Sequence, residues 1–266
     1  MYQAHWGLRE SPFRGNLDPK SFYQSPTHEE ALARLNFLVE GHRRLGLLIG
    51  PSGSGKSLLF EVLAQQLRRQ GRSVTKVSLL DVEPSEVLGL LAAEWGLAVD
   101  PQQSAATLWR ALTDRLIEHR YQQLETVILL DDVDQADPRV LQHVTRLARF
   151  DPSPEMRLTI VLAGRQECLE KLDESLLGLA ELRIDVEPWQ RADTEQYVNA
   201  SLSQAGCRTA VFAEPAVDRL HELAHGIPRR VSQLADLALL AGAGQNLCQI
   251  DAGVVDNAYQ ELGIVG

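Results

Sequence analysis

The chain has no uncharged apolar run near the roughly 20 residues that a bilayer crossing needs, so no stretch of it predicts a membrane span. Its opening residues lack a basic segment followed by an apolar one, which excludes a signal peptide and makes a cytoplasmic location the expectation. Cysteine is scarce: Cys168, Cys207 and Cys248 are odd in number and widely spaced. They offer neither a disulfide framework nor zinc-ligand spacing, and read as reduced packing residues. Seven histidines are dispersed without a paired metal-ligand spacing, which favours structural or surface roles. No Ser/His/Asp or Cys/His arrangement can be built, and no repeat or low-complexity stretch occurs. Positive charge is also short. With 26 Lys and Arg against 36 Asp and Glu, the formal charge of −10 disfavours nucleic acid and anionic lipid as partners, although a local basic patch could override it.

What is present suits a globular protein. A hydrophobic share of 44% and a charged share of 23% over 266 residues allow one α/β domain with a smaller appendage. Residues 1–26 are rich in aromatics and prolines and predict an arm laid over a folded body, neither strand nor helix. Thr27 then opens a helix, with Glu30 completing a capping box. Leu45–Ile49 predicts a buried parallel strand, followed by a helix over Ser57–Gln70. Further strands are predicted at Val74–Leu79, Thr126–Leu130, Leu158–Ala163 and Leu182–Val186, with helices near 84–95, 104–119 and 138–149 between them. This alternation predicts a five-stranded parallel sheet sandwiched by helices. After Pro188-Trp189 it stops, and helices near 193–205, 214–225, 228–242 and 251–262 predict a small helical domain, with Gly242–Gly244 as a separator. Trp95, Trp109 and Trp189 read as core residues.

Three constellations carry chemistry. The run Gly50-Pro51-Ser52-Gly53-Ser54-Gly55-Lys56-Ser57 fits a phosphate-binding loop, with a strand before it and a helix after it. Its glycines let backbone N–H groups turn toward a phosphate, a cradle that continues to Leu58, and the helix N-terminus adds favourable dipole charge. Lys56 would reach the β- and γ-phosphates of ATP, and the Ser57 hydroxyl would ligate Mg²⁺. The second constellation is Asp131-Asp132 at the end of the apolar run from Thr126. Asp131 would hold Mg²⁺ and Asp132 would orient the attacking water, whereas Asp134 is expected to be an exposed acid. The third is Gly226-Ile227-Pro228-Arg229-Arg230, which opens a helix with Arg229 placed to reach phosphates. Read alone, this segment fits an exposed basic first turn as well.

Together these residues resemble an AAA+ ATPase, and more closely the bacterial ExeA (general secretion pathway protein A) family with its TniB-type relatives. The resemblance covers nearly the whole chain. It rests on Trp6-Gly7-Leu8, Pro12-Phe13, Asp18-Pro19, Phe22-Tyr23, Ser25 and His28-x-Glu30-Ala31-Leu32. It continues through Val161-Leu162-Ala163-Gly164, Asp193-Thr194-Glu195, Tyr197, Phe212 and Gly226–Arg230. It implies an arm and helix over 1–40 packing on the nucleotide site, with Phe22 or Tyr23 near the adenine. It further implies a nucleotide-binding domain over 41–187, a helical lid over 188–266 with Arg229 as its γ-phosphate sensor, and ATP-dependent self-association. The chain departs from the family at Arg165, where a Gln is usual. It departs again at Gly178-Leu179-Ala180, which stands where an arginine finger is expected, with Arg183 four residues beyond Leu179. These readings imply an ATPase driving or gating a secretion- or envelope-linked partner assembly, and the two departures imply slow turnover. The alternatives are a nucleotide-gated switch or scaffold with negligible hydrolysis and a DNA-associated, transposition-regulator-like ATPase.

Overall fold

The computed structural model describes residues 2–263 except 14, 16, 99, 101, 102, 154 and 208. The last three residues of the expected helical domain therefore lie outside the described residues. Along the chain the helices and strands are α1 (Tyr2–Trp6), α2 (Pro26–Glu40), β1 (Leu45–Ile49), α3 (Lys56–Arg69), β2 (Ser73–Ser78), α4 (Val87–Glu94), α5 (Ala105–Tyr121) and β3 (Thr126–Asp131). These are followed by α6 (Pro138–Ala148), β4 (Leu158–Gly164), α7 (Cys168–Lys171), α8 (Glu174–Leu177), β5 (Ala180–Asp185), α9 (Arg191–Gln204), α10 (Glu214–Ala224), α11 (Pro228–Gly244) and α12 (Ala252–Glu261).

By its contacts the chain divides into two compact units. The larger comprises Glu30–Pro51 and Lys56–Val186 and holds the expected five-stranded sheet, in the order β2-β3-β4-β1-β5 with every pair parallel. Burial explains which strand goes where. Every residue of β1, β3 and β4 is buried, as continuous apolar runs covered on both faces require, while β2 and β5 at the edges carry Lys76, Glu181 and Arg183. Because the strands are parallel, the C-terminal ends of β1, β3 and β4 share one edge, where α/β sheets place ligands. At Gly46 an added Cβ would come within 2.3 Å of Leu38 Cδ1, so α2 packs onto β1 only because this position has no side chain.

The smaller unit gathers Met1–Glu29, Ser52–Gly55 and Glu187–Gly266. Its core draws Trp6, Leu8 and Phe13 together with Trp189 and apolar residues of α9 to α12. The indole of Trp6 is buried and donates to the Leu239 carbonyl at 2.9 Å.

Several local expectations are corrected. The opening arm contains a short helix, α1, because Trp6 has a core to enter. Helix α2 starts at Pro26, so Thr27 and Glu30 do not form its capping box; a proline at the first position presets the helical backbone. Helix α11 runs through Gly242 to Gly244, since Gly242 is buried against Trp6 and Ile250 and leaves no room for a side chain.

Candidate functional site

The loop leaves β1, where every residue is buried, so its first atoms are fixed by the sheet: the Gly50 N–H donates to the Gly164 carbonyl at the end of β4 (3.2 Å). Helix α3 starts at Lys56, which puts Lys56, Ser57 and the half-buried Leu58 in its first turn. The Lys56 ammonium donates to the carbonyls of Gly50 (2.7 Å) and Pro51 (3.0 Å), so its charge is held over the loop it belongs to.

Asp131 ends β3 and is only 4% exposed. Burial pushes its carboxyl above the ordinary range, hydrogen bonds from Ser57 and the Asp132 N–H oppose this, and the neighbouring Asp132 charge adds to the rise. A buried carboxylate paired with a serine hydroxyl fits a Mg²⁺ ion that keeps most of its waters, because such an ion needs few protein oxygens. Among the described residues no group of three or more His, Cys, Asp or Glu side chains forms a closed metal cage.

Asp132 follows in the left-handed region (φ 57°, ψ 35°), which asparagine and aspartate tolerate better than most residues. This turn separates the two adjacent acids. Asp131 stays buried, while Asp132 turns out and accepts from the Ser78 hydroxyl at 2.7 Å.

Asp134 corrects an expectation. It is 6% exposed, its carboxylate accepts from the Arg165 N–H (3.0 Å) and guanidinium (2.7 Å), and its carbonyl accepts from Lys171. Burial would raise its carboxyl, but the Arg165 hydrogen bonds win and lower it to about 2. Arg165, the departure from the family's usual Gln, is thus the partner of a buried acid, and the two hold the turn after β3 to the end of β4. Arg183 is bound to Asp185 through both carboxylate oxygens and to Gln166 at 2.8 Å.

The middle of the loop, Ser52–Gly55, groups with the smaller unit. Gly53 (φ +83°) and Gly55 (φ +99°) take backbone shapes that side chains disfavour, and each is also pressed from outside. An added Cβ would lie 2.9 Å from Arg229 Cβ at Gly53, and 2.8 Å from His28 Nε2 at Gly55. The Arg229 N–H donates to the Gly53 carbonyl at 3.2 Å. The start of α11 therefore sits on Gly53 through the Arg229 backbone and Cβ, while the Arg229 and Arg230 side chains are exposed, as the basic first turn read alone would have them. Phe22 lies against the His28 ring (5.6 Å between centroids), whereas Tyr23 packs on Trp189 (5.6 Å) and Tyr197 (5.5 Å).

The motif reading missed Ser78, the Asp134–Arg165 pair and His28. His28 could have been singled out: it lies three residues after Ser25 in the opening signature, a spacing that brings both to one side of a helix start.

A family model described as AAA domain matches residues 39–172, half of the chain. General secretion pathway protein A of Aeromonas hydrophila is 30% identical over 270 residues, covering 98% of this chain. The chain spans about half, 48%, of that relative's length. Among solved structures, Cdc6p from Pyrobaculum aerophilum matches with a TM-score of 0.75 at 17% identity, over 94% of this chain and 70% of that one. Orc1 of Aeropyrum pernix, solved in complex with DNA, matches with a TM-score of 0.71 at 18% identity, over 96% and 69%. At these identities the solved structures establish the fold alone.

Proposed function

The chain belongs to the AAA domain family, and from that premise we propose that it binds Mg-ATP through Gly50–Leu58 and hydrolyses it to drive or gate a partner assembly. The observation that carries the reading is the Ser57–Asp131 pair at the end of a buried strand, with Lys56 one residue away on the same helix start. The loop's N–H groups and Lys56 would bind the β- and γ-phosphates, and Arg229, packed on Gly53, would meet the terminal phosphate. Ser57 and Asp131 would hold Mg²⁺, which supplies charge neutralisation at the phosphates when bound. Asp132 would accept a proton from the attacking water or orient it. Phe22 or Tyr23 would contact the adenine, and the packing of Tyr23 on the Trp189 and Tyr197 rings supports Phe22 in that role.

Steady-state phosphate release at several protein concentrations tests this. Wild type should exceed Lys56→Ala by about two orders of magnitude, the scale of losing a charge-stabilising group. Turnover no faster in wild type than in Lys56→Ala would overturn the enzymatic reading. A rise in specific activity with concentration would support ATP-dependent self-association and a site completed by a second copy.

One observation favours a second reading, a nucleotide-gated switch with negligible turnover. The Asp132 carboxylate is engaged by Ser78, and aspartate is a methylene shorter than the glutamate usual at this position. Nucleotide binding that survives Asp132→Ala with no change in a barely measurable turnover would select it. The A. hydrophila relative supports a secretion-linked partner, and a cytoplasmic location is part of the same proposal. For the structure itself, no helix among the described residues is long and apolar enough to cross a membrane. Absence of an ATP-dependent shift of duplex DNA at low salt would remove the transposition-regulator alternative.

A further inference from the structure

Three side chains and a loop carbonyl form a polar chain inside the smaller unit. The Trp189 indole N–H donates to Ser25 Oγ at 2.9 Å, Ser25 Oγ lies 2.9 Å from His28 Nδ1, and His28 Nε2 lies 2.8 Å from the Ser54 carbonyl oxygen. None of these residues exceeds 4% exposure, so water does not substitute for a missing partner.

The chain can run in one direction only. Indole is a donor and never an acceptor, and a carbonyl oxygen is an acceptor and never a donor. With both ends fixed, a neutral His28 must carry its proton on Nε2, and the Ser25 hydroxyl must then donate to Nδ1. Burial pushes the His28 imidazole below its ordinary value, opposed by the Ser54 and Tyr23 carbonyls and by the Asp193 charge, which keeps the ring neutral near pH 7.

The far end of this chain lies in the phosphate-binding loop. A trans peptide points its C=O and N–H in opposite directions, so a carbonyl held at Ser54 aims the next N–H, that of Gly55, away from His28. Gly55 sits at φ +99°, where a residue without a side chain has wide freedom, so something outside the loop must select this orientation. We propose that His28 is a positioning residue for the loop, holding the Ser54–Gly55 peptide so that the Gly55 N–H faces an incoming phosphate. The inference rests on the nucleotide-binding reading of Gly50–Leu58 and adds to it a residue from outside the motif.

The test measures the affinity of the 266-residue chain for a fluorescent ADP analogue with Mg²⁺, in wild type, His28→Phe, His28→Gln and Lys56→Ala. Phe keeps an aromatic ring of similar size without the donor, whereas the Gln amide can place an N–H near the Nε2 position. His28→Phe should weaken binding about tenfold, the effect of one buried hydrogen bond, and His28→Gln should restore affinity to within about threefold of wild type. Equal affinity of His28→Phe and wild type would overturn the proposal. So would equal weakening by Phe and Gln, which would mean that ring packing alone matters. Wild type binding no better than Lys56→Ala would instead strike the underlying nucleotide reading. Should His28→Phe fail to fold, imidazole nitrogen shifts of wild type decide. An Nε2–H ring whose signal moves on adding the analogue sustains the proposal, and an Nδ1–H ring or an unmoved signal overturns it.

Discussion

Strand β3 and the Trp189 side chain are both buried, yet their surroundings are built on different principles. Around β3, the apolar side chains of Val127, Ile128, Leu129 and Leu130 are all buried, and the backbone pairs with β2 and β4. Around Trp189, three aromatic rings lie within 6.0 Å, and the indole N–H enters the chain to His28. The Trp189 N–H also donates to the Gly226 carbonyl (2.8 Å), at a turn where His225 and Gly226 are both left-handed. An apolar strand tolerates any filling of the right volume, while a polar chain with a glycine contact tolerates one set of residues.

Substitutions can break that contrast, and the largest effect is expected at Gly226. An alanine there would bring its Cβ within 2.3 Å of the Trp189 carbonyl oxygen at φ +66°, so Gly226→Ala should destabilise by roughly 4 kcal/mol in chemical denaturation. Leu129→Ala, which only empties volume in β3, should cost about 3 kcal/mol. If the alanine at Gly226 proved milder than the one at Leu129, the distinction between the two regions would fail.

The Asp134–Arg165 pair tests whether polar specificity also operates beside the sheet. Arg165→Ala leaves a buried carboxylate with fewer donors and should lower stability at neutral pH, an effect moderated because Arg165 is half-exposed. The folded value of Asp134, about 2, lies below its unfolded value of 3.8. The stabilisation is therefore complete above about pH 4 and disappears as pH falls through about 2, where wild type and variant should converge. Denaturant melts at pH 7 and pH 2.5 measure this, and a gap that widens with acid would contradict it.

The smallest effect is expected at Ser54. Its hydroxyl is fully buried and finds no hydrogen-bond partner among the described residues, so Ser54→Ala should leave thermal stability unchanged or raise it by up to about 1 kcal/mol. Its carbonyl, which His28 uses, is untouched by the change. A clear loss of stability would show that the hydroxyl has work beyond filling space.

The phosphate-loop motif, the five strands and the four C-terminal helices were legible because each depends on neighbours in sequence. An apolar run of five or six residues makes a strand, and glycine spacing makes a turn. The order β2-β3-β4-β1-β5 was not legible, because pairing is chosen among strands of similar apolarity by how the helices cover them. Nor were the burial of Asp134 and the hydrogen-bond partners that Asp131, Asp132 and Asp134 find. Those acids lie within four residues, and only the fold supplies Ser57 to the first, Ser78 to the second and Arg165 to the third. The sequence alone determined that a phosphate-binding loop follows a buried strand. The tertiary structure decided what surrounds that loop: Arg229 over Gly53 and His28 beneath Ser54, brought from 176 residues ahead and 26 behind. Such contacts leave no periodic trace in the chain, since a hydrogen bond between distant residues needs one side chain at each end and no pattern between them.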